Sequence, residues 1–167
     1  MTKTRGFTLV ELMVTLAVAA ILLTVGVPSF RDLIYNNRLT AATNMFVSSI
    51  NIARSEAIKQ GRNATVCVST DLATCTGGNW NQGWVVWVDV DQNGAPSAAE
   101  IIRTVQPLSN SLQLTSAQNS FTIDSQGSVD NPNATLDVCD ERAAETGRQL
   151  RVLATGGISL NSQYGGC

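Results

Sequence analysis

Histidine is absent from all 167 residues. That excludes His-based triads, imidazole general bases and His-ligated metal sites together. Charge is scarce as well: Asp, Glu, Lys and Arg make up 14% of the chain, against about 25% in ordinary soluble domains. Neither sign prevails, since 11 basic and 13 acidic residues leave a net charge of −2 and a pI near 5.0. No global basic field therefore points to nucleic acid or anionic lipid. Aromatic residues are only 5% of the chain. No Ser–Lys pair, paired carboxylates or Gly-rich phosphate loop stands out, so the chain is not read as an enzyme and no cofactor is expected.

The scarcity of charge has a local cause. Leu12 to Phe30 is a run of 19 residues without a single charge, about the length that spans a hydrocarbon core as a helix. Lys3 and Arg5 precede it, and one acid, Glu11, lies at its start. A carboxylate at depth in a bilayer costs about 3 kcal/mol, so such an acid is read first as functional. An ordinary secretory signal would have a short apolar core and a small-residue cleavage site. Val18-Ala19-Ala20 could serve as that site, but the apolar run continues past it to Val27.

Gly6-Phe7-Thr8-Leu9-Val10-Glu11, leading into this run and followed by Gly26 and Pro28, resembles the class III signal of type IV pilins and type II secretion pseudopilins. The resemblance implies that a prepilin peptidase cuts between Gly6 and Phe7 and that Phe7 is then N-methylated. Glu11 becomes the fifth mature residue. Within one helix, the new Phe7 amine and the Glu11 carboxylate are four positions apart. Between subunits, Glu11 of an incoming chain would neutralise the Phe7 amine of a neighbour, because both charges are costly alone in hydrocarbon. Basic residues on the short N-terminal flank favour a cytoplasmic N-terminus, leaving the domain after Phe30 in the periplasm.

Beyond Phe30 the helical period persists. Leu39, Ala42, Phe46, Ile50, Ala53 and Ala57 recur at spacings of three or four, and Gly61 reads as a helix stop. A single helix from Phe7 to Gln60 would run roughly 80 Å, loosened at Pro28 where an N–H is missing. After Gly61 the period changes to two. Strands are expected at 64–69, 83–90, 101–105, 112–116, 121–124, 135–138, 149–154 and 158–160. Trp84-Val85-Val86-Trp87-Val88 is apolar on both faces, which predicts cover by the helix on one side and a second sheet layer on the other.

The expected fold class is α+β: a type IV pilin-like fold, with one long N-terminal helix, membrane-spanning in its first half, packed on an antiparallel β-domain. The boundaries are a leader at 1–6, the membrane and assembly half of the helix at 7–30, its periplasmic half at 31–61, and the β-domain at 62–167. Ala53-Arg54-Ser55-Glu56-Ala57, Gly83-Trp84-Val85-Val86-Trp87-Val88-Asp89 and Phe121-Thr122-Ile123-Asp124-Ser125-Gln126-Gly127, in that order behind the N-terminal motif, are similar to the GspH/FimT/FimU group of minor pilins and pseudopilins.

Four cysteines fit an exported compartment and allow three pairings. Cys67–Cys75 with Cys139–Cys167 is favoured because each pair closes a local loop, worth about 2.5 and about 3.5 kcal/mol by loop entropy. Their spacing does not make a zinc site, and no metal is assigned. Asp89-Val90-Asp91-Gln92-Asn93-Gly94 with Glu100 matches calcium-loop spacing, but strands flank it, and an acidic Asn-Gly hairpin produces most of the pattern without an ion. Arg142, Arg148 and Arg151 raise DNA binding. FimT-like pilins share a C-terminal Gly-Arg-x-Arg loop that takes up DNA, yet Gly157 and Ser159 stand where those arginines would fall. Asp137, Asp140, Glu141 and Glu145 also surround the candidates, so solvent-screened salt bridges are the better account. Trp84 and Trp87 are read as core rather than as a ligand platform.

The function expected is that of a minor pilin that primes or caps type IV pilus assembly. The alternatives are a FimT-like DNA-uptake pilin and a GspH-like pseudopilin of type II secretion. The partners implied are other minor pilins, the major pilin, the prepilin peptidase, the inner-membrane assembly platform and the membrane itself. The location implied is the inner membrane and then the pilus or pseudopilus.

Overall fold

A computed structural model describes residues 6–142 and 147–167. Lys3, Arg5 and Glu145 lie outside the described residues. One helix, α1 (Leu9–Gln60), precedes eight strands: β1 (Ala64–Val68), β2 (Trp84–Val88), β3 (Ile101–Val105), β4 (Leu112–Ser116), β5 (Ser120–Ile123), β6 (Thr135–Asp140), β7 (Gly147–Val152) and β8 (Ile158–Tyr164). A short 3₁₀ turn covers Trp80–Gln82. The chain divides into two compact units, Met1–Asn37 and Arg38–Cys167.

In the first unit α1 is already helical at Leu9 and continues through Pro28. Every residue from Gly6 to Ile34 is exposed. The helix begins one residue after Thr8, whose Oγ1 accepts the Glu11 N–H at 3.2 Å. Thr8 is thus the N-cap, with Glu11 at the third helical position of the Thr-x-x-Glu pattern.

In the second unit the three-and-four spacing of apolar residues faces inward, as the period requires. Leu39, Ala42, Phe46, Ile50, Ala53 and Ala57 are all buried. The helix ends in a left-handed glycine: Gly61 has φ +63°, and the Arg62 N–H reaches back to the Ala57 carbonyl at 3.2 Å. This satisfies one of the carbonyls that a helix end leaves over.

Both sheets are antiparallel and four-stranded, ordered β3-β2-β1-β5 and β4-β6-β7-β8. One core joins the helix face to both sheets, through Val66, Trp84, Val86 and Phe121 of the first and Leu114, Leu136, Val138 and Leu150 of the second. Phe46 sits at its centre, edge-on to Trp80 (5.3 Å), Phe121 (5.8 Å) and Trp84 (6.2 Å).

Strand β2 departs from expectation in its cover. Trp84, Val86 and Val88 face the main core, but Val85 and Trp87 pack with Cys67, Leu72 and Ile101 in a separate small cluster. A disulfide-closed loop supplies that second cover, not a second sheet layer. Strand ends also shift. β6 runs on to Asp140 and β8 to Tyr164, because Cys139 and Asp140 pair with Gln113 and Leu112 of β4, while pairing with β7 and a bond from Tyr164 Oη to Asp137 Oδ2 (3.0 Å) hold the end of β8.

Candidate functional site

The N-terminal segment comes first. Gly6, Phe7 and Thr8 precede regular structure, and Phe7 is 75% exposed. A methyl group added at Gly6 would meet nothing within 4 Å among the described residues. Glu11 is exposed in the first turn of α1, where the helix dipole favours a carboxylate. Thr8 was missed from sequence, although the Thr-x-x-Glu spacing signalled it. From Leu9 to Val27 the helix turns apolar side chains to all sides: Leu9, Met13, Leu16, Ile21, Leu22 and Val25 are each more than 60% exposed. In a soluble fold such a surface marks a docking or membrane face.

The second feature is the β2–β3 loop. It is not an Asn-Gly hairpin, for the positive φ angles fall at Gln92 (+62°) and Gly94 (+76°) and not at Asn93. The loop is organised by carboxylates. Glu100, 6% exposed, accepts Val90 N–H (2.8 Å), Asp91 N–H (3.3 Å), Ser97 N–H (3.1 Å) and the Ser97 hydroxyl (2.7 Å). The Ser97 hydroxyl is the main reason its carboxyl is held below the usual glutamate range, against the opposing cost of desolvation. Asp91 accepts the Asn93 N–H, and Asp89 accepts the Gly94 N–H. One oxygen each of Asp89, Asp91 and Glu100 lies within 4.8 Å of the others. The Glu100 oxygens already have N–H and O–H donors, so the loop's own hydrogen bonds account for the arrangement.

The cysteines are bonded as Cys67–Cys75 and Cys139–Cys167. Within the first loop Asp71 accepts the Ala73 and Thr74 N–H groups and the Ser69 and Thr74 hydroxyls. The Thr74 hydroxyl, followed by the two backbone donors, pushes its carboxyl far below the ordinary range.

The arginines do not converge. Arg142 pairs with Asp140 at 2.6 Å. Arg148 turns toward α1 and donates to Thr40 Oγ1 at 2.9 Å. Arg151 is exposed. Arg54 has a structural task that its place in the Ala-Arg-Ser-Glu-Ala motif did not reveal. Its side chain lies against two left-handed glycines, Gly127 (φ +85°) after β5 and Gly156 (φ +72°) between β7 and β8. One helical residue is thereby pinned by a turn from each sheet.

Comparison with known proteins gives consistent findings. Residues 1–27 match the prokaryotic N-terminal methylation motif. A curated relative, prepilin peptidase-dependent protein D of Escherichia coli (strain K12), is 34% identical over 79 residues, and the match spans about half of each chain, 47% of this one and 48% of that one. The fold is similar to the type IV minor pilin FimU of Pseudomonas aeruginosa, at 22% identity and TM-score 0.60 over 75% of this chain and 89% of that one. It is also similar to the minor pseudopilin EpsH of the type 2 secretion system of Vibrio cholerae, at 16% identity and TM-score 0.55 over 75% of this chain and 97% of that one. The model of type II transport protein GspH matches residues 42–156, which is most of the chain, and the protein belongs to that family.

Proposed function

We propose that this chain is a minor pilin that primes or caps a type IV pilus as a structural subunit. The observation that carries the reading is the apolar helix surface from Leu9 to Val27, exposed on every side and carrying one carboxylate at its start. Lipid satisfies such a surface before assembly, and a bundle of like helices satisfies it afterwards. In this reading residues 1–6 are removed as a leader, 7–30 anchor and then assemble, 31–61 carry the helix into the periplasm, and 62–167 form the head that meets other minor pilins. Prepilin peptidase cuts between Gly6 and Phe7 and methylates Phe7. Glu11 then neutralises a neighbour's Phe7 amine and sets axial register. The similarity to a minor pilin, a minor pseudopilin and a prepilin peptidase-dependent protein lends support.

The family match to GspH favours one second reading, a minor pseudopilin of type II secretion. DNA uptake is the weaker alternative, because Arg142 and Arg148 are engaged within the chain.

The test is subunit incorporation. Glu11→Ala should leave membrane insertion intact, since removing the acid lowers its transfer cost by about 3 kcal/mol. Its amount in sheared pili relative to the inner membrane should fall, with Glu11→Gln intermediate. Equal incorporation of wild type and Glu11→Ala would refute the role of the acid. Intact mass should show loss of Met1–Gly6 and gain of one methyl, and a mature start after Ala20 would refute the pilin reading.

A further inference from the structure

Each sheet ends in two edge strands, and three of these edges are guarded. In the first sheet β5 is closed off by the chain that follows it. Thr122 N–H donates to Asp130 Oδ1, Asp130 N–H donates to Thr122 O, both at 3.0 Å, and Ile123 bridges to Val129. β3, at the other end of that sheet, carries Arg103. In the second sheet β4 lies against the 3₁₀ turn Trp80–Gln82. Charged, short or covered edges are how folded proteins keep foreign strands from adding. Among the described residues β8 has no such guard. It is the longest strand, it holds no charged residue and no proline, and Ser159 to Gln163 are all exposed.

The backbone of β8 is set for a further partner. Leu153 N–H donates to Gly157 O at 2.8 Å where the β7–β8 turn opens into the ladder. Antiparallel pairing alternates, so Ser159 and Asn161 direct their backbone groups to Arg151 and Gln149. The N–H and C=O groups of Ile158 and Leu160 therefore point away from β7, along the open edge. Leu160 stands opposite Leu150, which is wholly buried, so both lie on the core face of the sheet. Leu160 is nevertheless 49% exposed, because the cover over Leu150 stops short of it. Cys167, bonded to Cys139 of β6, ties down the chain just after β8, so the edge is ordered before anything meets it.

We infer that β8 accepts an added strand from another protein chain, paired through the backbone of Ile158 and Leu160. The edge dictates the chemistry of that strand. It is uncharged, because β8 offers no charge to pair with. It alternates, with an apolar residue to cover Leu160 on one face and an amide or hydroxyl beside Asn161 on the other. The inference does not rest on the assembly reading, since no residue of α1 takes part.

The experiment uses the full, disulfide-bonded chain in excess detergent. The probe is a fluorescently labelled peptide of residues 110–118, which carries the alternation Leu112-Gln113-Leu114-Thr115 and no charge. Its anisotropy should rise at chain concentrations below about 1 mM, the weak range expected of a short added strand. Exchange of the Leu160 amide should slow when the peptide is present. Leu160→Pro removes only an outward N–H and leaves the β7 ladder intact, and it should weaken binding about tenfold. Leu160→Lys makes the same test through an edge charge, with the backbone unchanged. Both should melt within a few degrees of wild type. Ile102→Lys, at an exposed apolar residue of β3, should bind as wild type does, and the peptide with Leu114→Asp should not bind. No binding up to about 1 mM, binding unchanged in both Leu160 variants, or equal binding of the Leu114→Asp peptide would each overturn the proposal. A chain that dimerises through Leu160 and ignores the peptide would assign the edge to a second copy and overturn it too.

Discussion

Replacing Phe46 with alanine should cost about 4–5 kcal/mol of folding stability. The side chain is 0% exposed and faces the largest aromatic residues of the core, with ring centroids at 5.3, 5.8 and 6.2 Å. Truncating a buried phenylalanine costs about 3–5 kcal/mol in transfer and cavity terms. Edge-on ring pairs add about 0.5–1.5 kcal/mol each beyond burial, which places this site at the top of the range. Against a net stability of about 5–15 kcal/mol the loss is large, and a domain of this size should melt about 15–20 °C lower. Phe46→Leu retains most of the volume and should lose only about 1.5 kcal/mol. The assay is a thermal melt of the full chain followed in the near-ultraviolet, where Trp80 and Trp84 report their packing directly. A loss below about 2 kcal/mol for alanine, or equal losses for alanine and leucine, would show that the helix is not held to the sheets through this residue.

Gly156→Ala should destabilise by about 3 kcal/mol, since left-handed backbone costs an L-residue about 1–2 kcal/mol and the new Cβ would lie 2.6 Å from the Gly127 carbonyl oxygen. Gly61→Ala has the same sign of φ but open space around it, so it should cost only about 1 kcal/mol; equal values in denaturant titrations would refute the steric account. The Asp71 carboxyl is lowered in the folded chain, chiefly by the Thr74 hydroxyl. Its contribution is therefore complete above the ordinary carboxyl pKa of about 3.9 and is lost as pH falls through the lower folded value. Amide exchange at Ala73 and Thr74 should accelerate below that pH in wild type, and Asp71→Asn should remove the dependence.

Much of the fold was legible because burial enforces period. The α1 face from Leu39 to Ala57, the stop at Gly61, and the strands at 101–105 and 112–116 each follow from residues whose alternation or three-and-four spacing has one solution. What escaped was fixed by partners distant in sequence. Nothing in Asn161-Ser162-Gln163-Tyr164 alternates, and it joins β8 through β7 and Asp137. Val85 and Trp87 needed a cover, which the sequence showed, but a disulfide loop carrying Leu72 answers that need as well as a sheet does. The N-terminal motif was legible as residues, while Thr8 as the cap of α1 lay in plain spacing and was passed over. Arg54 could not be assigned from sequence at all, because its neighbours are two glycines about seventy and one hundred positions away, brought together only by the closure of both sheets.

The contrast between the two units bears on how the exposed helix should be understood. The same chain that leaves every residue from Gly6 to Ile34 exposed buries Phe46, Trp84 and Phe121 completely. Exposure of the first half of α1 is thus not weak packing by a sequence short of apolar residues. At about 25 cal/mol per Å² of apolar surface, a helix of this composition facing water on all sides is strongly driven to find cover. The charge pattern limits what that cover is. A run without charge from Leu12 to Phe30 accepts lipid or like helices equally, so hydrophobicity alone would leave the subunit indifferent between membrane and bundle. On the proposed reading Glu11 breaks the tie. In lipid its carboxylate is costly, and in a bundle a cationic neighbour relieves the cost. On that reading a single acid at the mouth of an otherwise featureless apolar helix gives direction to the exchange of lipid for protein.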